Sequence, residues 1–117
     1  MKITVCKSKI HRATVSDTNI NYEGSITISP KLMDLAGIYE FEQVHVVNVN
    51  NGERFVTYVI RGLREDDIIL NGAAARLAVK GDKVIIIAYT QLNEKKLAGF
   101  QPKIVLVDDK NNVIKTN

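Results

Sequence analysis

In this sequence, the residues best suited to do chemistry are a glycine and the serine that directly follows it. Gly24 and Ser25 stand in the segment Tyr22-Glu23-Gly24-Ser25, just before a run of β-branched residues. A serine hydroxyl can attack the carbonyl of the residue before it, which converts an amide into an ester and opens the chain. Glycine at the preceding position would tolerate strained geometry and close approach. Taken alone, a Gly-Ser pair before a strand is more typical of a turn.

Other polar side chains could take part in such chemistry, or they could have only a structural role. His11 stands close to Lys9 in a segment that also reads as an ordinary charged strand face. Arg54 and Tyr58 are four residues apart, so on a strand they would point to the same side. Asn71-Gly72 is by default a turn. The sequence has no Ser-His-Asp order, P-loop or dinucleotide-binding fingerprint at these positions.

The scarcity of cysteine and histidine limits the chemistry further. Cys6 is the only cysteine, and His11 and His45 are the two histidines, so neither an internal disulfide nor a zinc-ligand spacing is available. Cys6 lies among apolar, strand-forming residues and is expected to be a small buried hydrophobe rather than a nucleophile. We therefore expect no metal site.

The elements that must position these residues are mostly short strands. The 117 residues have no break in composition, so residues 1–117 are predicted to form one domain with a real core. We predict a mainly β fold, and six or more short strands in a chain of this size favour a small closed barrel. The predicted strands cover residues 2–10, 12–16, 25–28, 43–49, 53–61, 67–70, 83–90 and 102–107.

Capping and turn residues give the sharpest local predictions. Ser29 can cap a short helix that starts at Pro30, and Gly37 suits its left-handed end. Asn50-Asn51-Gly52 predicts a hairpin turn. The small residues 71–76 suit a tight turn that enters a helix.

The second half of the chain allows three further predictions. The strand at 83–90 is nearly all apolar and is predicted to be central and buried on both faces. Residues 93–97 are predicted to form one helical turn. The polar tail at 108–117 is expected to be loosely held.

Charge and hydropathy leave room for an alternative of another class. The net charge of +3 suits an anionic partner, and a small basic β-barrel could bind nucleic acid or another protein. Acidic residues interrupt any basic stripe, and aromatic residues for base stacking are few. No apolar run is long enough for a membrane span, and the N-terminus lacks a signal-peptide stretch, so a cytoplasmic protein is expected. The basic residues that could form a patch are Lys7, Lys9, Arg12, Arg61, Arg64 and Lys80.

Taken together, five segments resemble the aspartate 1-decarboxylase family in order and spacing. The similarity covers nearly the whole chain and weakens after about residue 108. One departure is Val47, where many members carry tryptophan, and this leaves one pocket wall open to question. The segments are Lys9-Ile10-His11-Arg12, Tyr22-Glu23-Gly24-Ser25, Asn48-Val49-Asn50-Asn51-Gly52-Glu53-Arg54-Phe55, Thr57-Tyr58 and Asn71-Gly72-Ala73-Ala74-Ala75.

The resemblance implies a six-stranded double-psi β-barrel assembled as a homotetramer, with sites between subunits. It implies a zymogen that cuts itself between Gly24 and Ser25 into residues 1–24 and 25–117. The new N-terminus would carry a pyruvoyl group made from Ser25, with no metal and no pyridoxal phosphate. This group would form a Schiff base with L-aspartate and release CO2 and β-alanine, which feeds pantothenate and coenzyme A synthesis. A third possibility is a relative that has lost processing and serves as a structural subunit.

The resemblance also implies residue roles. Tyr58 would donate a proton to the carbanion, and Thr57 would stabilise the oxyanion of cleavage and contact substrate. Lys9 and Arg54 would bind the two carboxylates of aspartate, and His11 would support the cleavage geometry. Backbone groups of Gly72, Ala73 and Ala74 would lie close to the substrate.

Thr57 and Tyr58 are adjacent, which poses a geometric problem. A regular strand sends neighbouring side chains to opposite faces. Both can serve one site only if the backbone is bulged there, or if the site is shared between subunits, with Tyr58 reaching the residue 25 of a neighbour.

Overall fold

The strands and helices of a computed structural model cover most of the chain, and all of residues 1–117 are described. The fold is mainly β, as predicted. No helix is long and apolar enough to cross a membrane. In chain order the elements are β1 (Lys2–Thr14), β2 (Asp17–Asn19), β3 (Ser25–Ile28), α1 (Pro30–Ala36), β4 (Gln43–Asn48), β5 (Arg54–Arg61), β6 (Ile68–Asn71), a 3-10 helix (Gly72–Arg76), β7 (Lys83–Asn93), a second 3-10 helix (Glu94–Lys96), β8 (Lys103–Val107) and β9 (Val113–Thr116).

Nine strands form one mixed sheet in the order β2-β6-β3-β5-β4-β7-β1-β8-β9. The pairs β1/β8, β2/β6 and β3/β5 are parallel, and the others are antiparallel. Hydrogen-bonded pairing does not join β2 to β9, so the closed six-stranded double-psi barrel stays a prediction. One face of the sheet carries the apolar core, which includes fully buried residues of both halves, such as Ile10, Ile26, Val59 and Ile86.

Helix α1 follows its sequence signals closely. The Ser29 side chain accepts a hydrogen bond from the Leu32 backbone N–H, and Pro30 occupies the first helical position. Gly37 ends the helix with φ +66°, which glycine adopts at no steric cost. Leu32 and Met33 are buried and form the side of the helix that faces the core.

One of the strand predictions is confirmed and another is only partly right. The hairpin between β4 and β5 is confirmed, with Val47 paired to Arg54 across the turn. Strand β7 is central, since it lies between β4 and β1, but it is not buried on both faces. Buried residues alternate with half-buried ones from Val84 to Ala88, which is the pattern of a strand with one face on the core and the other partly exposed.

The tail is better ordered than its polar composition suggests. Residues Val113–Thr116 form β9 and pair with β8. Asn111 is only 5% exposed, and its side chain bonds to both the N–H and the C=O of Thr14 and to the C=O of Asp66. The expectation of a loosely held tail is wrong, because polar side chains there satisfy backbone groups of distant segments.

Candidate active site

The Ser25 hydroxyl is fully buried and has two hydrogen-bond partners. Its Oγ donates to the carbonyl oxygen of Glu23 over 2.9 Å and accepts from Asn71 Nδ2 over 3.0 Å. The same Nδ2 donates to Thr27 Oγ1 at 3.0 Å. Antiparallel pairing of β3 with β6 sets Ser25 directly opposite Asn71, so the register of two strands positions the hydroxyl.

Gly72 approaches the backbone on the other side of the same peptide segment. Its φ is +66°, and a Cβ there would lie 2.7 Å from both the N and the Cα of Gly24. Gly24 itself has open space, since a Cβ at that position would meet nothing within 4 Å. Close approach therefore requires glycine at position 72 and not at position 24, whereas the tolerance of Gly24 for strained geometry stays a prediction.

Lys9, Arg54 and Tyr58 share one face of the sheet, opposite to the core. Lys9 pairs with Ile87, which in turn pairs with His45 on β4. His45 pairs with Val56 on β5, and directly paired residues of antiparallel strands point to the same face. Arg54 and Tyr58 lie two residues on either side of Val56, so they join this face.

Thr57 points the other way. It pairs with the buried Val44, whereas Tyr58 pairs with the exposed Gln43, and the pairing of β4 with β5 has no register shift. A bulge at this point is therefore excluded. The alternative, a site shared between subunits, stays a prediction.

Ser25 and Tyr58 belong to two neighbouring parallel strands, β3 and β5. Ile26 pairs with Val59 in the core, and Ser25 and Tyr58 each precede one of these partners. Both therefore belong to the face opposite to the core.

Two cavities open on the face of the sheet that is opposite to the core, which we call the outer face. A cavity of about 690 Å³ lies over Thr27, Ile60, Ile69 and Asn71, and the last of these bonds the Ser25 hydroxyl. A second cavity of about 470 Å³ is lined by six residues that include two basic side chains. These six are Thr4, Glu42, Gln43, His45, Arg54 and Tyr89.

The basic residues of β1 and β5 differ in whether they are paired. Lys9 and Arg54 make no ion pair or side-chain hydrogen bond. Lys7 pairs with Glu42 at 2.7 Å, and Arg61 pairs with Asp34 through two hydrogen bonds, which raise the pKa of Arg61. Unpaired cations are the ones available to an anionic substrate.

His11 lies on β1 beside Leu106 of β8 and lines a different cavity, of about 260 Å³. Burial lowers the pKa of His11, and the charges of Lys9 and Arg12 lower it further. No hydrogen bond links His11 to Ser25, so its part in cleavage stays a prediction. No group of three or more His, Cys, Asp or Glu residues could hold a metal ion.

Gly72, Ala73 and Ala74 form the start of the 3-10 helix that follows β6. Gly72 and Ala74 are buried, whereas Ala73 is exposed. The sequence analysis assigns no role to Asn71, although this residue belongs to a segment that carries the family resemblance, and His45 stands in no motif. The Nδ1 atom of His45 is buried without a partner, and its ring packs edge-on against Tyr89 at 4.8 Å.

Comparison with known proteins places the chain in a class and then in a family. The sequence profile described as aspartate decarboxylase matches residues 1–114. A protein of Leptospira biflexa named aspartate 1-decarboxylase is 60% identical over 113 residues, which are 95% of this chain and 96% of that protein. Proteins of the same name from Caldicellulosiruptor saccharolyticus and Clostridium botulinum are 60% and 54% identical, and each match covers 98% of this chain and 91% of the relative.

These matches define an enzyme of the carboxy-lyase class, which removes carboxyl groups from its substrates. The chain belongs to the aspartate decarboxylase family.

Proposed function

We propose that this chain decarboxylates L-aspartate to β-alanine and CO2 with a pyruvoyl group that it makes from its own Ser25. The observation that carries the proposal is the buried Ser25 hydroxyl, held by Asn71 at the start of β3. Family membership supports the reaction, because the relatives bear the name aspartate 1-decarboxylase. The resemblance of the cleavage segment supports the origin of the group.

Self-cleavage begins when Ser25 Oγ bonds to the carbonyl carbon of Gly24. The C–N bond of that peptide breaks, the hydroxyl proton passes to the Ser25 nitrogen, and an ester forms. Loss of the Cα proton of residue 25 then breaks the Cβ–O bond, which releases Gly24 as a carboxylate and leaves dehydroalanine. Tautomerisation, addition of water and loss of ammonia give the ketone. These steps consume no oxidant or reductant.

The surroundings of Ser25 fit a small carbonyl group at that position. Asn71 supplies a buried N–H that already bonds an oxygen of residue 25, and Gly72, which has no side chain, allows the Gly24 backbone to lie close by. When present, the pyruvoyl group supplies a carbonyl that binds the substrate amine and accepts the electron pair left by departing CO2.

The chain's own side chains would bind and protonate the substrate. Arg54 has a planar fork that fits a carboxylate, and Lys9 adds a second positive charge for a dianionic substrate. Both cations are unpaired and share the outer face with Tyr58. Tyr58 would donate its phenolic proton to the substrate carbon. Thr57 and the backbone of Gly72, Ala73 and Ala74 would line the substrate.

Assembly into a homotetramer with a double-psi β-barrel in each subunit completes the proposal. Large apolar side chains are exposed next to the outer face, including Tyr39 at 74%, Phe41 at 69% and Val56 at 51%. Such patches favour contact with another chain. Since Thr57 and Tyr58 point to opposite faces, a site shared between subunits would let both contribute. We further propose a cytoplasmic role in pantothenate and coenzyme A synthesis, on the strength of the family resemblance.

Intact mass and substrate turnover test the proposal together. The purified chain should yield residues 1–24 and a fragment of residues 25–117 with a ketone at its N-terminus. Ser25→Ala should abolish both cleavage and release of CO2 from aspartate. A Ser25→Ala chain that still decarboxylates aspartate would contradict the mechanism. A wild-type chain that stays whole after prolonged warm incubation would instead indicate a relative that has lost processing.

A further inference from the structure

Gly72 lies so close to the main chain of another segment that position 72 has no space for a side chain. A Cβ on Gly72 would meet the N and Cα of Gly24 at 2.7 Å and the carbonyl oxygen of Tyr22 at 3.0 Å. Separations under 3.0 Å essentially never occur for real Cβ atoms, so the backbone itself would have to move. The space over Gly72 is therefore filled by the segment that leads into the Gly24–Ser25 bond.

Two consecutive residues thus hold the two sides of this bond. Asn71 bonds the Ser25 hydroxyl through its side chain, and Gly72 contacts Gly24 through its main chain. The left-handed φ of Gly72 turns the chain directly after β6, so that both contacts can form. The same local turn therefore fixes the nucleophile and the residue that it attacks.

We propose that Gly72 is a positioning residue for self-cleavage, because its missing side chain lets Gly24 settle where its carbonyl carbon meets Ser25 Oγ. The inference rests on the proposed self-cleavage. In the step concerned, the Oγ–C bond forms, the C–N bond of the Gly24–Ser25 peptide breaks, and the hydroxyl proton moves to the Ser25 nitrogen. Nucleophile and carbonyl belong to one chain, so their mutual placement sets much of the rate.

A matched pair of alanine variants separates this contact from backbone strain. Gly37 has the same φ of +66°, but a Cβ there would meet only the Lys103 side chain, at 3.6 Å and beyond. Gly72→Ala and Gly37→Ala therefore carry the same left-handed penalty, and only the first drives a Cβ into Gly24. We expect Gly72→Ala to cleave about 10²-fold more slowly than Gly37→Ala, in a time course followed by intact mass.

Hydroxylamine at neutral pH distinguishes a positioning role from a later block, because it cleaves oxyesters and leaves ordinary amides intact. Fragment masses must show cleavage between residues 24 and 25, since hydroxylamine also attacks Asn–Gly bonds such as Asn51–Gly52. If Gly72→Ala prevents the first step, no ester forms and added hydroxylamine does not restore cleavage. If hydroxylamine does restore it, the ester has formed, the defect lies in elimination, and the proposal is wrong.

A second pair of variants tests whether slower cleavage results from a folding defect. Asparagine adopts the left-handed region more readily than alanine, so Gly72→Asn and Gly37→Asn repeat the comparison at a lower backbone cost. Circular dichroism and urea unfolding establish that each chain is folded. If both Gly72 variants fail to fold while both Gly37 variants succeed, Gly72 serves folding rather than cleavage, and the proposal is overturned.

The outcomes also separate this proposal from the one it rests on. A wild-type chain that never cleaves contradicts the proposed function, and the role of Gly72 fails with it. A wild-type chain that cleaves, with Gly72→Ala as fast as Gly37→Ala, contradicts only the role of Gly72.

Discussion

The side-chain amide of Asn71 donates to the Ser25 hydroxyl over 3.0 Å, across a sequence separation of 46 residues. A hydroxyl has one proton and two lone pairs. The Ser25 proton is directed to the Glu23 carbonyl, and one lone pair accepts from Asn71. One lone pair remains for attack on the preceding carbonyl, so the hydrogen bonds orient the nucleophile without using up its reactivity.

Removing the Asn71 amide should slow self-cleavage. Asn71→Ala leaves Ser25 Oγ without its donor and Thr27 Oγ1 without its partner, and we expect a loss of about 1–3 kcal/mol in the free energy of unfolding. Intact mass gives the cleavage rate, and urea unfolding gives the stability. Thr27→Val is the control, because it removes only the second bond. Equal cleavage in the two variants would show that Asn71 does not orient Ser25.

Arg54 should matter for substrate binding, while Arg61 should not. Both are arginines on β5, but Arg61 is already paired with Asp34 and Arg54 is unpaired. Loss of a charge-assisted hydrogen bond should raise KM for aspartate about 10- to 10²-fold in Arg54→Ala. Arg61→Ala makes the same change in net charge and should leave KM near the wild-type value. Steady-state kinetics on fully cleaved protein decide between them.

Tyr58→Phe should reduce turnover but spare self-cleavage. The variant keeps the aromatic ring next to Phe41, whose centroid lies 6.4 Å away, and removes only the acidic proton. A lost general acid lowers kcat by about 10²- to 10⁴-fold, with little change in KM. Tyr39→Phe, at a ring that is 74% exposed, provides the control. Unchanged kcat in Tyr58→Phe would assign the proton donor elsewhere.

Acidification should destabilise the fold through His11. Burial and the charges of Lys9 and Arg12 lower its pKa in the folded chain, so the unfolded chain takes up a proton first as pH falls below about 6.5. Stability from this residue is therefore full above that pH and is lost as pH falls toward the folded pKa. Urea unfolding of Ser25→Ala chains, with and without His11→Gln, measures the effect at a fixed protein concentration.

His11→Gln should flatten the pH dependence between about 7 and 5, since glutamine does not titrate. An unchanged slope in that range would mean that other groups control acid stability.

The sequence by itself determined those helices and strands whose formation depends on residues close together in the chain. Ser29, Pro30 and Gly37 define α1 because capping depends on residues a few positions apart. The Ser25–Ile28 strand was predicted with its observed bounds, and the order of five segments placed the chain in its family. These features require no knowledge of distant contacts.

Only the tertiary structure decided what surrounds Ser25. Asn71 reaches it through the register of β3 with β6, and Gly72 meets Gly24 through a turn nearly fifty positions away. The common face of Lys9 and Arg54 arises from the pairing of β1, β7, β4 and β5. A sequence states which residues are present, but strand register sets which of them meet, because it depends on how the whole sheet packs.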